Sequence, residues 1–176
     1  MQHLQDPQEH DDLLNYRLKR LLALGGAPAI RLCEGRYGVT RIEWRLVAAL
    51  VESGPMSPSA LTERARIDPG RVSLTLRRLA AKALVERRAA GADRRRAIVA
   101  ATPSGHCLYE SLWPELAAIN RRLMSALDDD EAEMLDRCLS KLTSLAQRIH
   151  DEGGGVDVRT DRRLGGSRRF WSPAIE

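Results

Sequence analysis

The chain has 176 residues, and 43% of them are hydrophobic, which suits one domain with an apolar core. Its three cysteines are odd in number and widely spaced, which argues against a disulfide framework, and no CxxC or HxxxH pair offers metal-ligand spacing. The sequence has no signal-peptide pattern and no apolar run near the roughly 20 residues that cross a bilayer, so we expect a cytoplasmic protein without metal or cofactor.

Positive charge is concentrated in one segment. The formal net charge is +4, from 28 basic and 24 acidic side chains. Residues 61–100 hold eleven Lys or Arg and four Asp or Glu, a local charge of +7, which leaves −3 for the rest of the chain. Such segregation predicts a face that binds a polyanion such as nucleic acid.

The N-terminal part predicts an arm and an interrupted helix. Residues 1–10 are polar and unpatterned, which predicts a flexible arm. Helical periodicity begins at Leu13 and continues to about Arg36, but the stretch LGGAPAI at 24–30 interrupts it. Because a proline inside a helix removes an amide donor and clashes with the carbonyl four residues earlier, we expect a kink or break near Leu24.

Three helix starts follow, spaced as in a helix-turn-helix. Thr40 and Glu43 have the spacing of a capping box and predict a second helix, which ends near residue 53. Ser57 and Asp68 each precede a proline at a first helical position, and they predict a third helix to about residue 64 and a fourth to about residue 82. The apolar face of the fourth helix consists of Val72, Leu76, Leu79 and Ala83. Two strand-like runs, LVERRAA and RAIVA, flank a glycine tip and predict a β-hairpin wing.

Two long helices complete the predicted fold. One runs from Pro103 to about Leu127, with a bend expected at Pro114, and the other follows the acidic run DDDEAE. Both carry apolar seams that no further predicted layer covers, which predicts a homodimer. The seam of the last helix consists of Leu135, Cys138, Leu139, Leu142, Leu145, Ala146 and Ile149. Residues 151–176 are rich in Gly and Arg without periodicity, which predicts a disordered tail.

The fourth helix and the hairpin supply the candidate DNA contacts. With Val72 as the buried direction, the helical rotation places Gly70, Leu74 and Arg77 outward, in a position to enter a major groove. The arginines of the hairpin tip suit a minor groove, where the negative potential is strong. The complete set of predicted DNA-contacting residues is Ser57, Pro69, Gly70, Arg71, Ser73, Leu74, Arg77, Arg78, Asp93, Arg94, Arg95 and Arg96.

The order of these elements and several motifs within them resemble the MarR family of bacterial transcription regulators. The run from Asp93 and Arg95 through Thr102 to Gly105 is similar to the family's D-x-R…L-T-x-x-G pattern, with Ala101 in place of the usual leucine. LVERR before the wing and T-x-x-x-W-R at 40–45 also resemble family positions. The resemblance covers roughly residues 13–149, and the interrupted first helix departs from the continuous helix common in the family.

The resemblance implies a mainly α-helical fold with a small β-wing, in which a winged helix-turn-helix joins a helical dimerisation region. The implied boundaries are an arm at 1–10, one domain at 11–150 and a tail at 151–176; within the domain, dimerisation helices at 11–36 and 103–150 flank a winged helix-turn-helix at 37–102. The implied function is that of a homodimeric repressor or activator, with a repressor favoured, which binds a palindromic operator and is released by a small ligand or by oxidation. In the wing, Arg95 would enter the minor groove, Asp93 would orient it, and Arg94 and Arg96 would hold phosphates.

Polar and aromatic side chains interrupt three helices that enclose a cleft in that family. They are Tyr16, Arg17, Arg20, Trp44, Arg45, His106, Tyr109 and Trp113. An arginine beside aromatic rings suits a flat ligand with a carboxylate, because the guanidinium pairs with the acid while the rings cover the apolar face. The predicted effector is therefore an aromatic carboxylate or its thioester. Surface ion pairs and a core tryptophan explain each of these residues individually as well.

Three other functions compete with this interpretation. An enzyme is disfavoured, because the sequence has no Gly-rich phosphate loop, no nucleophile elbow and no paired carboxylates in an apolar setting. A protein-interaction module could use the helical seams and the aromatic pair Phe170-Trp171 in the tail. A redox-responsive regulator could use Cys33, which has two arginines nearby, whereas Cys107 and Cys138 are expected to pack.

Overall fold

The computed structural model describes residues 4–90 and 93–152, and within these ranges the side chains outside 89–97. The helices and strands are α1 (Leu14–Arg31), α2 (Arg41–Ser53), α3 (Pro58–Ala65), α4 (Pro69–Ala81), β1 (Val85–Ala90), β2 (Asp93–Ala101), α5 (Pro103–Met124) and α6 (Asp129–Asp151). A 3-10 turn at His10–Asp12 precedes α1, and a π-helical turn at Leu32–Arg36 follows it. The predicted fold class, mainly α-helical with a small two-stranded wing, is confirmed. Within the described ranges, no helix has the length and apolar character to cross a membrane.

Of the kink or break that the sequence predicts in the first helix, the break is wrong and the kink stays a prediction. α1 continues through Gly25, Gly26 and Pro28 without interruption. The two glycines instead permit close packing: a Cβ on Gly25 would lie 3.2 Å from the Leu123 side chain of α5, and one on Gly26 would lie 3.1 Å from the guanidinium of Arg41. Because these neighbours pack directly against the backbone here, the helix tolerates the one amide donor that Pro28 removes and ends only at the π-helical turn.

The main apolar core joins α2, α3, α4 and the root of the hairpin. Its fully buried side chains include Leu46, Val47, Leu61, Leu79 and Val99. α4 contributes Val72, Leu76 and Leu79, as its periodicity predicts. Ala83 is a correction, since it is exposed: the helix ends at Ala81, and Ala83 adopts a left-handed conformation with φ 55° that turns the chain into β1.

A second buried cluster connects the helical region to this core. It consists of Cys33, Val39, Trp44 and Leu112, so it joins the α1–α2 connection (residues 32–40) to α2 and α5. α5 passes through Pro114 as one helix. The α1–α2 connection therefore packs against both α2 and α5, beside the start of α2.

The apolar seams of α1 and α6 are open to solvent in the single chain. No described residue of α6 is buried, and its seam leucines Leu139, Leu142 and Leu145 are 39%, 42% and 45% exposed. On α1, Leu21 and Leu22 are 52% and 59% exposed. The chain folded alone thus leaves both predicted seams uncovered.

The predicted domain boundaries stay predictions. Most of the predicted tail lies outside the described residues. In the predicted arm, the Gln8 amide donates a hydrogen bond of 3.0 Å to the Asp12 carboxylate, which closes a local turn before α1.

Candidate nucleic-acid interface

α4 presents a polar and basic face to solvent. Its start is fixed by Asp68, whose side chain accepts a hydrogen bond of 3.2 Å from the Arg71 amide, and by Pro69 in the first turn. Every predicted contact on this helix is exposed: Pro69, Gly70, Arg71, Ser73, Leu74, Arg77 and Arg78. Leu74 is 42% exposed on a helix whose other face is buried. This position suits contact with a thymine methyl group in a major groove.

The start of α3 and the turn before α4 add two further features. Ser57 caps α3, since its hydroxyl accepts a hydrogen bond of 3.2 Å from the Ala60 amide. Arg66, which the sequence prediction missed, is exposed in that turn with a left-handed φ of 51°. The only sequence signal for it was its membership of the basic segment 61–100.

The hairpin is antiparallel and extends away from the core. Val85 pairs with Ala101 and Arg88 with Ile98, and the register shifts between Ala89 and Ala90. Arg87 and Arg88 are exposed, and the Nε atom of Arg88 donates a hydrogen bond of 2.8 Å to Glu86. The side chains of residues 93–96 lie outside those that the structure describes, so the predicted orientation of Arg95 by Asp93 and the phosphate contacts of Arg94 and Arg96 stay predictions.

The root of the wing and the start of α5 share one joint. The Thr102 amide donates to the Leu84 carbonyl at 3.1 Å, and its hydroxyl donates to the Ala83 carbonyl at 2.6 Å. That hydroxyl also accepts a hydrogen bond of 3.1 Å from the Gly105 amide, which caps α5. A Cβ on Gly105 would lie 2.3 Å from the Leu84 carbonyl oxygen, so the joint closes only around glycine.

A buried carboxylate joins α2 to the end of α4. Glu43 is 2% exposed, and its Oε2 atom accepts hydrogen bonds from the Thr40 amide at 2.7 Å and from Lys82 Nζ at 2.9 Å. Burial alone would raise the pKa of Glu43, but the hydrogen bonds from Lys82 and Thr40 outweigh it and hold the pKa below its ordinary value. Lys82 also donates to the Gly38 carbonyl at 2.8 Å, so the α1–α2 connection, α2 and α4 meet at this lysine.

Three of the eight residues predicted to bind a ligand form an aromatic stack. The rings of Trp44 and Tyr109 are 5.3 Å apart, and those of Tyr109 and Trp113 are 6.1 Å apart. The Tyr109 hydroxyl donates to the Glu52 carboxylate at 3.1 Å. Burial and this hydrogen bond raise the pKa of Tyr109. A carboxylate, which also pairs with Arg64 at 3.9 Å, thus already occupies the hydroxyl end of the stack, and this does not favour an anionic ligand there.

The predicted arginines do not join the stack. Arg45 donates to the Ala65 carbonyl at the end of α3, because neighbouring residues on a helix point about 100° apart and Trp44 takes the direction of α5. Tyr16 packs edge-on against His10, with ring centroids 5.6 Å apart. The other three residues of the set, Arg17, Arg20 and His106, are exposed.

An open groove of about 510 Å³ lies between the end of α1, the π-helical turn and α5. It is lined by Pro28, Arg31, Leu32, Gly35, Arg36, Glu115, Ala118 and Ile119. Glu115 pairs with Arg36 at 2.5 Å and accepts a hydrogen bond of 2.6 Å from the Tyr37 hydroxyl. The hydrogen bond from Tyr37 and the charge of Arg36 hold the pKa of Glu115 below its ordinary value. Sequence reasoning missed this groove, which we call the α1–α5 groove, because its charged residues follow no motif.

The three cysteines differ from expectation. Cys33 is 1% exposed, and burial raises the pKa of its thiol. A redox sensor needs an exposed thiol with a lowered pKa, so the redox alternative at Cys33 is wrong. Cys107 and Cys138 are exposed rather than packed, since the buried line of α5 runs through Leu112 and α6 has no cover in the single chain. No group of His, Cys, Asp or Glu in the described part of the chain could hold a metal ion.

Comparison with known proteins agrees with this architecture. A family model described as the MarR family matches residues 37–96. The HTH-type transcriptional regulator MhqR of Bacillus subtilis is 23% identical over 117 residues, which cover 66% of this chain and 81% of MhqR. The HTH-type transcriptional repressor MdtR of the same species is 29% identical over 112 residues, or 64% of this chain and 72% of MdtR. The matched residues include α2, α3, α4 and most of the hairpin, so the chain is similar to the MarR family over its helix-turn-helix and wing.

A solved structure shares the fold of this chain. The regulator BpsR of Bordetella bronchiseptica, whose DNA binding is regulated by 6-hydroxynicotinic acid, superposes with a TM-score of 0.70 at 23% identity. The match covers 78% of this chain and 98% of that structure. These similarities support the function of a DNA-binding transcriptional regulator with a winged helix-turn-helix, rather than that of an enzyme.

Proposed function

We propose that this protein is a homodimeric repressor of the MarR type that binds an inverted repeat in double-stranded DNA and leaves it when a small carboxylate binds. The observation that carries the proposal is the face of α4 on which Leu74, Arg77 and Arg78 are exposed, opposite a buried face. The basic hairpin follows α4 directly and is rooted in the same core. Such a protein would act in the cytoplasm, where bacterial DNA lies.

The dimer is proposed from the uncovered seams of α1 and α6. A monomeric protein rarely exposes a contiguous apolar patch larger than a few hundred Å². A second copy is the simplest cover for two seams on one chain, and the predicted arm and tail would then lie outside the folded body. Two-fold symmetry of the protein imposes two-fold symmetry on the operator, with half-site centres about one helical turn apart.

Selection from a random duplex library tests the DNA interface. The wild type should enrich an inverted repeat, and its affinity should fall steeply with salt, since arginine contacts to phosphates release counterions. Arg77→Ala and Arg95→Ala should each weaken binding to the selected duplex by roughly 1–3 kcal/mol. Arg122→Ala, an exposed arginine on α5, is the matched control and should leave it unchanged. Wild-type affinity in both test variants would mean that the helix and wing are wrongly assigned, and a salt-independent partner would favour the protein-interaction module.

The effector is proposed to be an aromatic carboxylate or its thioester, bound in the helical region. The α1–α5 groove supports this class, because its volume suits a small molecule and its lining combines apolar side chains with Arg31 and Arg36. Glu115 already neutralises one of these arginines, so an incoming carboxylate would compete with it. The aromatic stack of Trp44, Tyr109 and Trp113 stays the second candidate location.

Calorimetric titration with benzoate and cinnamate separates the two locations. Arg31→Gln and Arg36→Gln should weaken binding if the groove is the site, whereas Arg17→Ala, Arg20→Ala and Arg45→Ala should weaken it if the predicted set is correct. If neither acid binds or weakens the DNA complex at millimolar concentration, the aromatic-acid proposal fails.

Repression is tested by transcription in vitro from a template that carries the selected site. The amount of transcript should fall with added protein and recover with effector.

A further inference from the structure

The contacts of Glu43 and Lys82 place them between α4, the helix proposed to bind DNA, and the α1–α5 groove, which is proposed to bind the effector. Glu43 belongs to the first turn of α2 and is too deeply buried to contact DNA. Lys82 follows the last residue of α4, the helix proposed to enter the major groove. Neither residue lines the α1–α5 groove, so the proposed functions of helix and groove leave this pair unexplained.

We propose that Glu43 and Lys82 are positioning residues, which fix the C-terminal end of α4 against the α1–α2 connection and thereby set the affinity of α4 for its operator. The inference rests on the proposed function, because it requires α4 to read DNA. It assigns to a buried ion pair a role in the placement of one helix, beyond its contribution to stability.

Burial makes this placement specific. A buried carboxylate without a partner is strongly unfavourable, so Glu43 requires the Lys82 amine at hydrogen-bond distance. The lysine side chain is 39% exposed and could reach solvent. Its amine nevertheless donates hydrogen bonds to Glu43 at 2.9 Å and to the Gly38 carbonyl at 2.8 Å. Two acceptors from two different elements therefore hold one amine at the end of α4.

The same contacts lead from α4 to α5. Gly38 follows Tyr37, whose hydroxyl donates to Glu115 at 2.6 Å and lies 3.1 Å from the Ser111 carbonyl oxygen, both on α5. A displacement of α5 or of the π-helical turn would move Tyr37, and with it one of the two acceptors of Lys82. The positioning pair is thus connected to the α1–α5 groove by two hydrogen bonds, those of Lys82 to Gly38 and of Tyr37 to Glu115, and by the backbone between Gly38 and Tyr37.

A direct phosphate contact by Lys82 is the competing explanation, and it predicts the opposite sign for Glu43. If Lys82 bound phosphate, loss of the Glu43 charge would free the amine, and affinity would stay or rise. If the pair positions α4, Glu43→Gln weakens binding although it removes a negative charge. The amide oxygen of glutamine can still accept from the Thr40 amide, so the variant changes mainly the ion pair.

The experiment measures the affinity of Glu43→Gln, Lys82→Met and Lys82→Arg for the duplex that the wild type selects and for a scrambled duplex. Thr40→Ala is the matched control, since it removes the hydroxyl that caps α2 but leaves the ion pair intact. We expect Glu43→Gln and Lys82→Met to bind the selected duplex at least tenfold more weakly. Glu43→Gln should keep the wild-type salt dependence and scrambled-duplex affinity. Lys82→Arg should recover most of the loss, and Thr40→Ala should lower Tm with a change in affinity below twofold.

Each other outcome has a defined meaning. Wild-type or tighter binding by folded Glu43→Gln overturns the inference, and a reduced salt dependence in Lys82→Met alone assigns Lys82 to a phosphate. If Lys82→Met fails to fold, the affinity of Glu43→Gln still tests the inference. The fraction of active protein in that variant is measured by stoichiometric titration, so that a loss of affinity is not confused with a loss of folded protein. A wild type that selects no duplex refutes the proposed function instead, which distinguishes the two failures.

Discussion

Gly105→Ala should damage the joint between wing and α5. The added Cβ would lie 2.3 Å from the Leu84 carbonyl oxygen, and since real Cβ atoms essentially never approach below 3.0 Å, the strand-side backbone must move by at least about 0.7 Å. Such overpacking costs about 1–3 kcal/mol. Loss of the hydrogen bond from the Thr102 amide to Leu84 would lower the stability further, by about 1 kcal/mol. The better helix propensity of alanine offsets roughly this amount. We expect a net loss of about 1–3 kcal/mol.

The assay is urea denaturation together with affinity for the selected duplex. Gly35→Ala is the matched control, because a Cβ at Gly35 meets nothing within 4 Å and that residue is exposed in a helical turn. It should be neutral or stabilising by up to about 1 kcal/mol. Gly105→Ala should also bind DNA more weakly per folded molecule, since the wing moves with its root. A Gly105→Ala protein as stable as Gly35→Ala would refute the reasoning.

Three smaller predictions concern charge, thiols and backbone strain. In the wild type the lowered pKa of Glu43 stabilises the fold above the ordinary carboxyl pKa, and this contribution is lost as pH falls through the lower folded value. In Lys82→Met, burial without the lysine should raise the pKa of Glu43. The variant should be less stable than the wild type in urea by about 2–3 kcal/mol at pH 7, a figure that allows for the partial exposure of the lysine. This difference in stability should shrink towards pH 4, where the carboxyl group of Glu43 becomes neutral. Native mass spectrometry after brief iodoacetamide treatment should find Cys107 alkylated and Cys33 intact, and rapid labelling of Cys33 would contradict its burial. Ala83→Gly should raise the free energy of unfolding by about 0.5–1 kcal/mol, since φ is 55° there; a loss would contradict that strain.

Local signals in the sequence predicted most of the fold. Thr40 with Glu43, Ser57 and Asp68 were recognisable as helix caps from residue type and spacing, and all of them cap helices through the expected hydrogen bonds. These signals act over three or four residues, so they survive without knowledge of the tertiary structure. The exposed face of α4 followed from the same local geometry, because one buried residue, Val72, fixes the direction of all the others.

Features that depend on distant neighbours could not be predicted in the same way. Gly25 and Gly26 suggested a break, but their contacts with Leu123 and Arg41 come from elements far along the chain. Arg45 was placed beside aromatic rings because it follows Trp44, yet its partner is the carbonyl of Ala65. The α1–α5 groove likewise depends on a pairing across 79 positions, between Arg36 and Glu115. Sequence spacing holds no information on such pairs until the helices are packed.

The seam of α6 gives the sharpest test of the dimer. Leu142 is 42% exposed in the single chain, so an aspartate there is harmless to the fold of a monomer but places a charge inside a homodimer interface. We expect Leu142→Asp to weaken dimerisation by about 2–4 kcal/mol, or roughly 30- to 1000-fold, with helix content unchanged.

Ser144→Asp is the matched control, because it adds the same charge to α6 about 200° away from Leu142 around the helix. Light scattering at micromolar concentration should give a dimer for the wild type and for Ser144→Asp, and a lower mass for Leu142→Asp. The monomer should also lose the selected inverted repeat, since one chain reaches only one half-site. A wild type of monomer mass, or an unchanged dimer in Leu142→Asp, would show that something other than a second copy covers this seam.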